Sequence, residues 1–220
     1  MDGIMQETIL NWELNGKTQS SLLCSPGDER ALLTGHLLTG MTAPSPAAIR
    51  EIRLEENRWK VLADPVLSVP IALDERLSRL PVRPVCCPLA LTEILDLSET
   101  LTAVDNSAGQ HAALLRTEQE TILCQDIGRH NALDKAVGKA VLAGRDLQRA
   151  VYCTSGRVSA EILCKAAAAG IPVVCTRKQV GDLAVQAARR LGVTIVQARK
   201  PLHIYGNSKL EKEVPAGYVF

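Results

Sequence analysis

The second half of the chain repeats one pattern, a short apolar run followed by a helical stretch that ends on glycine. Apolar runs at 150–153, 172–175 and 193–196 alternate with helical stretches at 159–169, closed by Gly170, and 179–191, closed by Gly192. Strands joined through single helices must lie parallel with right-handed crossovers, so this half is predicted to be an α/β layer structure. Upstream, 112–116 and 121–124 flank a polar turn and read as an antiparallel pair. A helix from about 130 to 142 follows, with Leu133, Val137, Ala140 and Val141 on one face.

That order has a chemical consequence, because ligands of open parallel sheets bind beyond the carboxyl ends of the strands. Thr154-Ser155-Gly156-Arg157, Thr176-Arg177-Lys178 and Arg199-Lys200 fall at the three successive strand ends. One rim is thus expected to gather Arg157, Arg177, Lys178, Arg199 and Lys200, and two of the loops precede helix N-termini, which favour anions. Any one of these residues alone would read as a solvated loop cation; five together predict a phosphate site.

The overall charge gives this rim no help: 25 Lys and Arg face 24 Asp and Glu, so a general grip on nucleic acid or anionic lipid is not expected. Aromatic residues make up only 3%, which argues against base-stacking platforms. No apolar run is long enough to span a bilayer, and the first eleven residues carry no basic group, so a cytoplasmic protein with no membrane segment is expected. Seven cysteines without a Cys-x-x-Cys read mostly as small buried hydrophobes of a reducing compartment.

The first half is less regular. Residues 8–14 and 17–24 around Asn15-Gly16 predict a hairpin with a type I′ turn. Asp28 is the expected N-cap of a helix carrying Leu32, Leu33, His36, Leu37 and Leu38, with Gly40 as its stop. Prolines punctuate 44–88, and the domain boundary is placed near Cys86, giving a β-rich 1–85 region and an α/β domain over 86–220.

At the strand-to-helix junction the sequence reads Gln125-Asp126-Ile127-Gly128-Arg129-His130-Asn131-Ala132-Leu133-Asp134-Lys135. A turn there needs one cap, which Asn131 could supply, and one glycine with positive φ, which Gly128 could supply. Arg129, His130, Asp134 and Lys135 exceed that need and point to function. This run resembles the most characteristic motif of the FdhD family, also known as NarQ-type formate dehydrogenase accessory proteins, with Gln125 where an acidic residue is usual. Ser155-Gly156-Arg157-Val158-Ser159 with Glu161 and Lys165 resembles a second motif. Gly109-Gln110-His111-Ala112-Ala113 resembles a third, with Gln110 replacing a glycine. The N-terminal stretch fits as well, through Asn15-Gly16 and Ser25-Pro26-Gly27-Asp28.

The resemblance implies a cytidine-deaminase-like layered α/β core with a mixed sheet, plus a small β-rich N-terminal region. It also implies a client: the molybdenum bis-guanine dinucleotide cofactor, sulfurated before it enters formate dehydrogenase with sulfur taken from a cysteine desulfurase. Carried over motif by motif, the cofactor-binding residues would be His111, Asp126, Gly128, Arg129, His130, Asn131, Asp134, Lys135, Ser155, Gly156, Arg157 and Ser159, joined by the rim cations. A second copy of the chain is kept among the partners; nucleic acid and membrane are not. The segment 196–201 keeps a basic pair but departs from the family's Arg-x-Gly-Arg-like pattern.

The larger departure is that the family's Cys-Gly-x-Cys loop is absent. Either Cys86-Cys87 replaces it as a persulfide site, or the loop, whose place by order falls near 68–81, has been lost and leaves a cofactor-binding chaperone. Spacing to His111 favours the second. No zinc is expected: His111 is followed by Ala112-Ala113, where a deaminase needs its glutamate, and Pro-Cys-x-x-Cys is missing. A nucleotide-binding regulator is the remaining alternative, without a Gly-x-Gly-x-x-Gly or Walker-type loop to support it. His36 and His203 are assigned structural roles.

Overall fold

A computed structural model describes residues 4–67, 72–104 and 109–211. The chain opens with strands β1 (Thr8–Leu10), β2 (Trp12–Leu14), β3 (Lys17–Thr18) and β4 (Leu22–Cys24). Asn15 and Gly16 take positive φ values of 50° and 76° and fold β2 back onto β3, as their sequence requires. The expected 8–24 hairpin is nevertheless split. At Asn11 the chain turns, with the Asn11 carbonyl accepting from Trp59 N at 2.9 Å, and β1 pairs with β4 apart from the rest. β2 and β3 instead join β5 (Ile49–Glu55) and β6 (Arg58–Ala63) in a four-stranded sheet of order β3-β2-β6-β5. Glu56 and Asn57 make the β5–β6 turn at φ 49° and 61° without a glycine to announce it.

Helix α1 (Glu29–Thr39) begins and ends where expected, with Asp28 as N-cap and Gly40 as C-cap, but neither residue acts in the usual way. Asp28 stands at the N-cap position but in a left-handed conformation without a capping bond; its carboxylate pairs with Lys139 Nζ at 2.7 Å. Gly40 has an ordinary φ of −74°, and the left-handed residue is Met41. A short helix, α2 (Leu73–Arg79), occupies part of the stretch where the family loop would fall; Ser68 to Ile71 lie outside the described residues. Helix α3 (Leu91–Thr102) follows, its first turn held by Glu93 Oε2 accepting from Ala90 N at 2.8 Å.

Next come β7 (His111–Arg116), β8 (Thr121–Asp126), α4 (Arg129–Leu142), β9 (Val151–Thr154), α5 (Ala160–Ala168), β10 (Val173–Thr176), α6 (Asp182–Leu191), β11 (Thr194–Gln197), β12 (His203–Tyr205) and α7 (Ser208–Glu211). The sheet order is β12-β11-β10-β9-β7-β8, with β9, β10 and β11 parallel and the flanking strands antiparallel. The βαβαβ half is therefore as predicted, and the sheet is mixed. Alternate strand residues divide between two cores. Tyr152, Val174 and Ile195 pack with α4, α5 and α6 on one face, while Val151, Cys153, Val173 and Cys175 pack with Leu91, Ile94 and Leu95 of α3 on the other. Helices on both faces of a mixed sheet with a parallel centre are the layered solution to burying a two-faced apolar sheet.

The N-terminal core is built from Trp12, Leu14, Ile52 and Val61 against Leu32, Leu33 and Leu37 of α1. α1 then crosses α4 at backbone distance: a Cβ at Gly35 would overlap the Asp134 carbonyl, and one at Gly138 the Ala31 carbonyl.

Candidate functional site

The carboxyl ends of the parallel strands finish on three polar residues in register, Thr154, Thr176 and Gln197. They staple the loops that follow. Thr154 Oγ1 accepts from Gly156 N at 3.1 Å, Thr176 Oγ1 donates to Gly156 O at 2.7 Å and accepts from Lys178 N at 3.0 Å, and Gln197 Nε2 donates to Lys178 O at 2.9 Å. Val158 and Val180 add a parallel bridge between the first two loops. The rim is thus a fixed surface, not a set of free loops.

A cavity of about 510 Å³ opens on this rim. Arg177, Lys178 and Arg199 form its cationic wall, Gln110, His111 and Ser155 a neutral polar wall, and Ser98, Leu101 and Thr102 at the end of α3 its far side. Arg199 Nε is buried without a hydrogen-bond partner, although another nitrogen of the same guanidinium donates to Gln179 Oε1 at 3.3 Å. A buried donor left without a partner costs free energy. Three of the five rim cations therefore meet in the cavity; Arg157 and Lys200 are exposed beside it and do not line it.

His111 stands where β7 and the loop after β9 meet. Ser155 locks that junction, its Oγ accepting from Ala112 N at 2.8 Å and its N–H donating to Ala112 O at 3.0 Å. Gly156 is needed for closeness: a Cβ there would lie 3.2 Å from Arg129 Cδ and 3.4 Å from His111 Nδ1. Burial, then the charges of Arg129 and Arg157, push the His111 pKa below its usual value, so the ring is neutral at pH 7 and can donate or accept. The Arg129 Nε is likewise buried without a partner. His130 lies with its Nε2 3.3 Å from Glu161 Oε2, and burial lowers its pKa as well, against the opposing pull of Glu161. Ser159 caps α5, accepting from Ile162 N at 3.4 Å.

The remaining motif residues face inward. Asp126 is fully buried and pairs with Lys135 Nζ at 2.8 Å, while its two oxygens also accept from Ser25 N, Gly128 N and Asn131 Nδ2 at 3.0–3.1 Å. Lys135 in turn donates to Ser25 O at 2.9 Å, and Ser25 Oγ accepts from Gln110 Nε2 at 2.7 Å. This node ties the N-terminal turn to the cavity wall. Asn131 sits inside the first turn of α4, and the N-cap is Gly128, whose φ of −103° is ordinary; neither takes the turn role expected of it. Gly128 is small because a Cβ would crowd the Asn131 amide at 3.3 Å.

Asp134 is the centre of a second buried node, accepting from Lys165 Nζ at 2.8 and 3.0 Å and from Thr39 Oγ1 at 2.6 Å, with His36 Nδ1 at 3.4 Å. Burial alone would raise its pKa, but Lys165 and His36 prevail and hold it at about 2. Because that folded value lies below the ordinary 3.8, the node stabilises the fold above pH 4 and the gain is lost as pH falls through about 2. Denaturant unfolding between pH 5 and pH 2 is expected to show a loss of about 2 kcal/mol. An Asp134→Asn chain, less stable throughout, should lack that part of the slope.

Cys86 and Cys87 lie elsewhere. Arg83 N donates to Leu191 O at 3.0 Å, and its carbonyl passes so close to Gly192 that a Cβ there would overlap it. The segment 83–90 therefore runs along the amino-end rim of the sheet, opposite the cation cavity, with the length of α3 between the two, about 18 Å at 1.5 Å per residue. Cys86 is exposed and Cys87 half-buried, its Sγ donating to Leu89 O at 3.1 Å. The other five thiols are buried, and burial raises Cys24 and Cys124 to about 11. The sequence names most of the rim but not Ser98, Leu101, Thr102 or Gln110. The Leu91, Ile94, Leu95 and Leu101 spacing marks a helix, yet nothing in it says where the helix ends relative to the strands.

A layered α/β protein with an anion-seeking cavity at its parallel-strand rim is what the geometry defines. Residues 88–209 match the FdhD/NarQ family profile, and the chain belongs to that family. It is 32% identical over 236 residues to the sulfur carrier protein FdhD of Streptomyces coelicolor, spanning 89% of this chain and 83% of the relative. Against the sulfur carrier protein FdhD of Bacillus subtilis it is 28% identical over 225 residues, spanning 89% and 84%. A crystal structure from Desulfotalea psychrophila, assigned as a formate dehydrogenase accessory protein, superposes with a TM-score of 0.77 at 25% identity, covering 94% of this chain and 89% of that one.

Proposed function

We propose that this chain is a cytoplasmic accessory protein that binds the molybdenum bis-guanine dinucleotide cofactor as cargo and supports its sulfuration or its delivery to a formate dehydrogenase. The observation that carries the reading is the rim cavity, where Arg177, Lys178 and Arg199 face a wall of hydroxyl and apolar groups. A phosphate-bearing arm of the cargo satisfies both walls: the cations take the phosphates, and Ser98, Leu101 and Thr102 take the less polar end. Arg129 and Arg157, next to His111 of the cavity wall, extend the site beyond the cavity, while Asp126, Asp134 and Lys135 hold its framework. Every residue lining the cavity falls within 86–220, which supports reading that part as the cargo-binding domain and 1–85 as its buttress; the deaminase-like layering is proposed on the resemblance alone.

The test is equilibrium binding of guanosine diphosphate and of the extracted cofactor to the full chain. Arg199→Ala, Arg157→Ala or Arg129→Ala is expected to weaken binding by about 2 kcal/mol, roughly thirtyfold in Kd, with an unchanged circular dichroism spectrum. Affinity unchanged in all three would overturn the rim site. The second reading, a chaperone without sulfur transfer, is favoured by the position of Cys86 and Cys87 on the opposite rim, out of reach of cargo in the cavity of the same chain. A cysteine desulfurase and a second copy of the chain remain proposed partners.

A further inference from the structure

We propose that phosphate binding in the rim cavity is coupled to uptake of one proton by His111, so that the site grips its anion more tightly as pH falls. This coupling rests on the cargo reading above and gives that same site a dependence on pH.

The charge around the cavity is one-sided. Arg177, Lys178 and Arg199 make one wall, His111 stands in the other, and among the described residues no Asp or Glu lines the space between them. Helix α3 brings only Ser98, Leu101 and Thr102. Behind the ring the sign is the same. Gly156 is clasped between His111 and Arg129, so that a Cβ there would lie 3.4 Å from His111 Nδ1 and 3.3 Å from Arg129 Cβ. Arg157 follows on the same loop, and both charges that act on the ring, Arg129 and Arg157, are positive. The neighbouring carboxylates are already engaged. Asp126 stands opposite His111 in the β7–β8 register, but it is bonded to Lys135, Ser25, Gly128 and Asn131. Glu161 faces His130 at 3.3 Å, and Asp134 is held by Lys165. A second cavity, of about 670 Å³, opens beside Cys87 and Lys209 at the other end of α3; no histidine lines it.

An empty site of this kind keeps its histidine neutral, because a further positive charge would face three across the cavity and two behind. A bound phosphate reverses the local sign. With the anion between the cationic wall and the ring, the imidazole takes a proton from solvent and becomes a charge-assisted donor. One proton is gained when the phosphate binds at the ring, and one is returned when it leaves. The protonated ring is favoured in the bound state, so its pKa is higher bound than free. Affinity is therefore greatest below the free value, falls as pH rises between the two values, and levels off above the bound one. Each pH unit by which binding lifts the ring separates the two plateaus by about tenfold in Kd.

The chain has four histidines, few enough for their ring signals to be followed singly by NMR through a pH titration. The full chain is titrated from about pH 5 to about pH 9 alone, with saturating guanosine diphosphate, and with saturating inorganic pyrophosphate. The His111 signal is assigned by its loss in His111→Gln, and His36, held at Asp134 between α1 and α4, is the reference. Binding of either ligand is expected to raise the His111 midpoint by at least about one pH unit. Between the two ends of the titration Kd should change at least about tenfold more in wild type than in His111→Gln, which removes the contribution of phosphate's own titration. Either ligand bound with the His111 midpoint unmoved or lowered overturns the coupling and leaves the cargo reading standing. Pyrophosphate bound with a raised midpoint, while guanosine diphosphate does not bind, upholds the coupling and counts against the cargo reading. Neither ligand bound overturns both.

Discussion

Gly138→Ala is expected to destabilise the chain by at least about 3 kcal/mol, although alanine is the better helix former by roughly 1 kcal/mol. The two effects oppose each other, and geometry decides the sign. At this crossing α1 and α4 touch through their backbones, and the added methyl would overlap the Ala31 carbonyl, which belongs to a helix and cannot rotate aside. The helices would have to part, opening the packing around Leu32, Leu33 and Leu133, which are fully buried. Gly181→Ala is the control, since its Cβ would meet only the Val158 carbonyl at an ordinary 3.8 Å. Urea midpoints for the two variants should differ widely; similar midpoints would mean that α1 and α4 do not cross this closely.

Removing the Asp126 carboxylate is expected to cost about 3–5 kcal/mol, because Asp126→Ala strands the Lys135 ammonium in the interior and frees the Ser25, Gly128 and Asn131 donors at once. The penalty lies mostly in the abandoned charge. Lys135→Met on top of Asp126→Ala should therefore recover a substantial part of it, and a double-mutant cycle measures how much. The same variant carries a second signature. Ser25 also accepts from Gln110, which lines the rim cavity, so guanosine diphosphate binding should fall in the folded fraction even though Asp126 touches no cargo.

These two nodes show where sequence reading stopped. The polar surplus in 126–135 is real, and it was right that a turn alone does not need it. What it serves is hidden by distance along the chain: Asp126 and Lys135 find Ser25, and Asp134 finds His36, Thr39 and Lys165, partners that no local pattern connects. The βαβαβ half was legible because each glycine stop and each β-branched run states its own boundary. The hairpin at Asn15-Gly16 was legible for the same reason, but its partition between two sheets depends on Asn11 meeting Trp59, a tertiary event. Between Thr42 and Pro88 prolines obscure strands β5 and β6, whose turn at Glu56-Asn57 lacks the glycine that would have marked it. The rim cations followed from strand order, whereas the far wall of the cavity came from α3, which reaches the rim from the opposite edge.

Helix α3 lies across one face of the sheet like a spacer bar, with the thiol pair near its first turn and the cation cavity at its last. Two openings at opposite ends of one rigid element share no doorway, so occupancy of one cannot sterically block the other. Kinetically the two openings should behave as uncoupled ports, so saturating guanine nucleotide at one leaves access to the other unchanged. A sulfur atom bound for cargo in the same chain would have to leave the protein and return, which makes any such hand-off a bimolecular event whose rate depends on concentration.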